Sequence, residues 1–214
     1  MRSRSERPVV VLDYGAGNLR SVARAVEYAG FHAWVTDAPA ALDGAGIVVL
    51  PGVGAAADTM RNLARRGLVE PLRRYLQADR PFLGVCMGLQ ALMTVSEEGG
   101  EHPGLDVLPG RVRRLPDGQI VPHMGWNVVR QMRESDVLRG IPDRSHFYFV
   151  HTYYCALDDR SVTLATTNYG VTFPAIVQRG NLVATQFHPE KSGAYGLRLY
   201  RNVIAAALAA EPAA

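Results

Sequence analysis

Three short runs of apolar residues stand out along the chain: Val9 to Leu12, Ile47 to Leu50 and Phe82 to Val85. Each leads into a glycine-containing turn. Runs of this length without polar alternation predict strands buried on both faces, as in a parallel sheet. Between them, residues 19–29 and 59–76 carry apolar side chains at three- and four-residue spacing, which predicts helices, the second broken just before Pro71. Strand and helix in alternation predict βαβ units. From about Leu105 the pattern changes to short, turn-punctuated segments, at 111–115, 126–129, 147–150, 162–166, 176–178 and 182–186. Some of these are expected to form an antiparallel extension. A last helix is expected over 195–210, with Leu197, Tyr200, Ile204 and Leu208 on one face.

Composition narrows the class. Apolar residues make up 48% of the chain and charged ones 20%, an ordinary globular balance, and 214 residues suit one domain, 1–214. Flexible ends are expected at 1–7 and 211–214. The net charge of +3 and pI near 9.0 come from dispersed basic residues, so no nucleic-acid partner is expected. No stretch approaches the roughly 20 apolar residues of a membrane helix, and the first apolar run is too short for a signal-peptide core. The expectation is a cytoplasmic protein with no membrane partner. Cys86 and Cys155 lie 69 positions apart, without zinc-type spacing to any histidine. Neither a disulfide framework nor a metal site is indicated, and no cofactor is implied.

The candidate chemistry begins at Gly84-Val85-Cys86-Met87-Gly88, which follows a predicted strand and precedes a helical run at 89–93. That is the strand-turn-helix setting of a nucleophile elbow. Such a turn needs strained backbone, and a side chain at either flanking glycine would crowd the helix and an approaching substrate. The helix N-terminus favours thiolate over thiol. Read alone, the motif also fits a buried structural cysteine between packing glycines.

A cysteine hydrolase needs a base, and His188 closes the segment 182–187. Pro189 biases His188 toward extended backbone, and Glu190, two residues on, would share its face and steady the imidazole. A strand-end histidine beside a chance carboxylate is the plainer reading of that triplet. His151 is a rival base without a nearby carboxylate and reads as a packing or pocket-wall residue; Cys155 reads as a small core residue on a strand. Pro51-Gly52-Val53-Gly54 follows the second predicted strand. At the C-terminal edge of a parallel sheet this turn would lie near the elbow, making the amides of Val53 and Met87 plausible oxyanion donors.

These three motifs, the last in the form Gln186-Phe187-His188-Pro189-Glu190-Lys191-Ser192, resemble the triad-type class I glutamine amidotransferases. Three more segments, Asp13-Tyr14-Gly15-Ala16-Gly17-Asn18-Leu19, Pro122-His123-Met124-Gly125-Trp126-Asn127 and Tyr148-Phe149-Val150-His151-Thr152-Tyr153, are similar to the glutaminase subunits of imidazole glycerol phosphate synthase. The resemblance implies an α/β fold: a three-layer αβα sandwich with a central, mostly parallel sheet and a smaller antiparallel extension. It implies L-glutamine as substrate and a (β/α)₈-barrel cyclase as partner in a heterodimer of histidine biosynthesis. It carries over Cys86, His188 and Glu190 as catalytic triad and Val53 and Met87 as oxyanion donors. Gly52, Gly54, Gln90, Glu98 and the Thr152-Tyr153 backbone would hold glutamine. Glu98 reads equally well as a solvated helix-end carboxylate. Asn18, Met124, Trp126, Tyr148 and Lys191 would face the cyclase; without the resemblance, Trp126 would be ordinary core.

Three competitors remain. The glutaminase of pyridoxal phosphate synthase usually carries a longer Gly-Gly-Glu-Ser turn where this chain has Pro51-Gly52-Val53-Gly54. Cysteine peptidases and stress-response proteins of a related fold place their histidine soon after the elbow, whereas His188 comes about 100 residues later. A non-catalytic scaffold would not need Cys86, His188 and Glu190 intact.

Overall fold

The computed structural model describes residues 7–209. The expected flexible ends therefore lie, Arg7 apart, outside the described residues. The first half runs β1 (Val9–Leu12), α1 (Leu19–Tyr28), β2 (Ala33–Thr36), α2 (Ala41–Gly44), β3 (Ile47–Leu50), α3 (Ala56–Arg65), α4 (Val69–Gln77) and β4 (Phe82–Val85). It continues through α5 (Met87–Gln90), β5 (Met93–Ser96), β6 (His102–Pro103), β7 (Leu108–Arg114) and β8 (His123–Gln131). The last part holds β9 (Ser145–His151), β10 (Tyr153–Leu157), β11 (Thr163–Asn168), β12 (Thr172–Arg179), β13 (Leu182–Thr185) and α6 (Gly193–Ala209).

Nine strands form one sheet in the order β2-β1-β3-β4-β13-β12-β11-β8-β9. Pairings from β2 through to β13 are parallel, and those from β13 out to β9 are antiparallel. The antiparallel extension is thus continuous with the parallel half. A second sheet, β10-β7-β5-β6, is antiparallel except for the β5–β7 pair.

Side chains of a strand alternate between faces, so both faces of the apolar runs are used. Val9 and Val11 join a cluster with Val22 and Val26 of α1 and Leu199 and Val203 of α6. Val10 and Leu12 join another with Leu63 of α3 and Leu72 of α4. Helices on both faces make the αβα sandwich, and each fully buried Val or Leu contributes about 1.5–3 kcal/mol of transfer free energy. Among the described residues no helix is long and apolar enough to cross a membrane.

Three local expectations need correction. The expected helix at 59–76 breaks at Gly67, whose φ is +65°, and Pro71 lies within α4. In the first turn of a helix the amide has no intrahelical partner, so proline is tolerated there. The helical run after the elbow is the single turn Met87–Gln90, and Met93 already opens β5. The inner face of α6 carries Leu199, Tyr200, Val203 and Ile204, with Leu197 and Leu208 packed only partly against it.

Candidate active site

The strands β3, β4 and β13 are neighbours, and all three run parallel. Their C-terminal ends therefore bring together the turn at 51–54, the elbow at Cys86 and the segment from Gln186 to Glu190. Ligands of open α/β sheets bind at this edge. A cleft of about 380 Å³ opens there, lined by Val53, Gly54, Cys86, Met87, Gln90, Glu98, Thr152, Tyr153, His188 and Lys191, with Pro122, Val150 and His151 beside them.

Cys86 is held at φ +52° and ψ −101°, a conformation that costs a non-glycine residue energy and persists only when its surroundings impose it. Its amide donates to the Thr185 carbonyl at 2.7 Å, locking the turn against β13. The flanking glycines let the elbow pack against its neighbours. A Cβ on Gly88 would stand 2.1 Å from the Leu50 carbonyl oxygen, and one on Gly84 would meet the Gly88 carbonyl at 2.9 Å. The strain thus sits on Cys86 itself, and the glycines relieve crowding against β3 and the helix. With only one helical turn behind the cysteine, the helix dipole is a smaller influence than the sequence implied.

His188 has extended backbone, and Pro189 begins a 3₁₀ turn, Pro189–Lys191, that swings Glu190 back beneath the ring. His188 Nδ1 lies 2.8 Å from Glu190 Oε1, both side chains being only 2% exposed. The contact is made by a turn, where the sequence had implied two side chains along an extended face. Nδ1 carries the proton toward the carboxylate, and Nε2 is buried with no hydrogen-bond partner. Burial alone would lower the proton affinity of His188. The nearby Cys86 sulfur and Glu190 carboxylate outweigh it, and its pKa is pushed up to about 10.

The other expected residues fall as follows. Gly52 is buried, with no room for a side chain: a Cβ there would stand 2.4 Å from Met87 Cβ. Gly54 has φ +100°, while Val53 is not among the positive-φ residues and is 40% exposed. Gln90 Nε2 donates to the Tyr153 carbonyl at 2.7 Å. Glu98 Oε2 accepts the first amide of α3, from Ala56, at 2.8 Å, so Glu98 lines the cleft while capping a helix that it does not belong to. Asn18 is exposed and caps α1, accepting from the Ser21 amide at 3.3 Å. Met124 and Trp126 share the outer face of β8, 63% and 56% exposed, and Trp126 meets Tyr148 edge to face at 6.1 Å. Trp126 is not core. Lys191 is exposed at the rim of the cleft.

Two residues of the His188 segment escaped the sequence reading. Fully buried Gln186 donates from Nε2 to Cys86 Sγ at 3.8 Å and lies 3.4 Å, through Oε1, from Gln90 Nε2. Ser192 donates to the His188 carbonyl at 2.7 Å and accepts the Tyr148 amide at 2.9 Å, tying the segment to β9. Gln186 had a usable signal: a polar residue within an apolar run, two positions before the candidate base.

The family described as glutamine amidotransferase class-I matches residues 10–206. The imidazole glycerol phosphate synthase subunit HisH of Moorella thermoacetica is 50% identical over 196 residues, covering 92% of this chain and 93% of that protein. HisH of Desulfitobacterium hafniense is 49% identical over 192 residues, covering 90% and 91%. A crystal structure of a glutamine amidotransferase superposes with a TM-score of 0.74 at 23% identity, covering 93% of this chain and 98% of that one, a likeness of fold.

Proposed function

Because the chain belongs to the class-I glutamine amidotransferases, and among them to the HisH subunits of imidazole glycerol phosphate synthase, we propose that Cys86, His188 and Glu190 hydrolyse L-glutamine for histidine biosynthesis. Cys86 Sγ attacks the side-chain amide carbon with its proton already held on His188 Nε2, as the raised proton affinity of that ring favours. The tetrahedral intermediate collapses when His188 returns a proton to the departing nitrogen, leaving a thioester and free ammonia. Water, activated by the same imidazole, then releases glutamate. Glu190 fixes the tautomer of His188 and balances its charge. The amides of Val53 and Met87 face the developing oxyanion. Gly52, Gly54, Gln90, Glu98 and the Thr152-Tyr153 backbone hold the amino-acid end of glutamine.

The observation that carries this reading is the strained cysteine at the foot of a cleft that also contains a buried His188–Glu190 pair at 2.8 Å. The ammonia is consumed by a (β/α)₈-barrel cyclase, in the cytoplasm, docked on the face bearing Asn18, Met124, Trp126, Tyr148 and Lys191. Co-expression with a barrel cyclase tests it. The two chains are expected to purify as a heterodimer that forms product from glutamine. A heterodimer that uses ammonium salts but never glutamine would refute the hydrolytic role.

A further inference from the structure

Beside the cleft lies a chain of hydrogen bonds that the reaction above does not use. Asn127 Nδ2 stands 3.2 Å from His123 Nε2, His123 Nδ1 stands 3.1 Å from His151 Nε2, and His151 Nδ1 stands 2.9 Å from the Tyr153 carbonyl oxygen. Both rings are buried, and His123 is stacked between Tyr169 at 4.0 Å and Phe149 at 4.9 Å.

The direction of this chain is fixed from both ends. At one end, Asn127 Oδ1 accepts the Val128 amide at 2.8 Å and Nδ2 donates to the Asn168 carbonyl at 3.0 Å. These contacts set the amide's orientation, so His123 Nε2 must accept and its proton sits on Nδ1. At the other end a carbonyl oxygen only accepts, so His151 must carry its proton on Nδ1 and accept at Nε2. The two assignments agree at the ring-to-ring contact, where His123 Nδ1–H donates to His151 Nε2. A second proton on either ring would set N–H against N–H. Burial, which pushes the pKa of His123 down to about 4 and that of His151 down to about 3, keeps both neutral.

The chain ends at a carbonyl that matters. Tyr153 O also accepts Gln90 Nε2, so its two lone pairs are taken by His151 and Gln90. We propose that Asn127, His123 and His151 form a one-way hydrogen-bonded relay that positions the Tyr153 peptide and Gln90 for the amino-acid end of glutamine. This role rests on the glutaminase reading. The three are positioning residues, since none touches the reacting atoms.

The relay is tested first by the protons themselves. In the full-length protein with ¹⁵N-labelled histidine, long-range ¹⁵N–¹H correlation at pH 7 is expected to show His123 and His151 as neutral Nδ1–H tautomers. An Nε2–H tautomer or a doubly protonated ring at either position overturns the relay, whatever the chain's activity. Kinetics in the complex with a barrel cyclase test the positioning. His151→Leu is expected to raise the glutamine KM about tenfold, the size of one lost buried hydrogen bond, while kcat changes less than threefold. His151→Asn, whose amide nitrogen can stand where Nδ1 stands, is expected to recover most of that loss. An unchanged KM in His151→Leu, or no recovery with Asn, refutes the positioning role. A wild-type complex without glutamine turnover would sink the glutaminase reading and the positioning role with it, and the spectrum would still judge the tautomers.

Discussion

His188 and His151 line one cleft, both buried, and their surroundings push them in opposite directions. His188 rises to about 10 because a carboxylate and a sulfur lie beside it, and His151 falls to about 3 because burial, and then His123, face it without any anion. The segment after β13 therefore keeps a proton close to Cys86, while the β8–β9 hairpin keeps a neutral, hydrogen-bonded ring. Burial is common to both, so the difference teaches that the partner decides the role of a buried histidine.

The largest effects should separate the two regions most cleanly. Cys86→Ala and His188→Ala are each expected to lower glutamine turnover in the cyclase complex by roughly 10⁴-fold or more, with ammonium-driven product formation kept. If His151→Asn lowered kcat as much as His188→Ala does, with folding intact, the contrast would collapse. Next in size is Glu190→Gln, which keeps the shape but loses the charge and can present the wrong tautomer partner. It should cost roughly 10²–10⁴-fold in kcat and leave measurable activity. Val53→Pro deletes one amide donor and is expected to lower turnover by about 10²-fold. Near-normal turnover in that variant would remove Val53 from the oxyanion site.

The smallest expected effects are on stability, and they have opposite signs. His188 binds its proton more tightly folded than unfolded, so its contribution is full below about pH 6.5 and is lost as pH rises toward about 10. His151 binds its proton less tightly when folded, so its contribution is full above about pH 6.5 and is lost as pH falls toward about 3. Denaturant melts across this range should show His188→Ala flattening the alkaline limb and His151→Asn the acid limb. The reverse assignment of limbs would show that the two environments had been misjudged.

How far the sequence carried depends on what each residue's neighbours are. β1, β3 and β4 were legible to the residue, because a strand buried on both faces has to be apolar throughout. β2 was not, since it lies at the sheet edge with Trp34 and Val35 half exposed. β5 follows the elbow helix after two residues, with no glycine or proline to announce it. The three motifs of the cleft were visible because each ends a strand, and adjacent strands put them side by side. The relay was hidden: His123 and His151 are directly opposed in the β8–β9 register, and no local spacing reveals a pairing between residues 28 apart. Gln186 escaped because a buried amide in an apolar run declares its purpose only through what it touches.

Lys191 stands exposed at the mouth of the cleft, and among the 23 basic side chains of the chain it is the only lysine. Arginine stays protonated and resists acylation at neutral pH. A mild amine-directed reagent therefore meets one side-chain target, apart from the α-amino group. Labelling chemistry, which on most proteins scatters over the surface, here reports a single position on the cleft that Cys86 also lines. The rate at which mass is added at Lys191 becomes a footprint of whether anything covers the cleft, readable without measuring turnover at all.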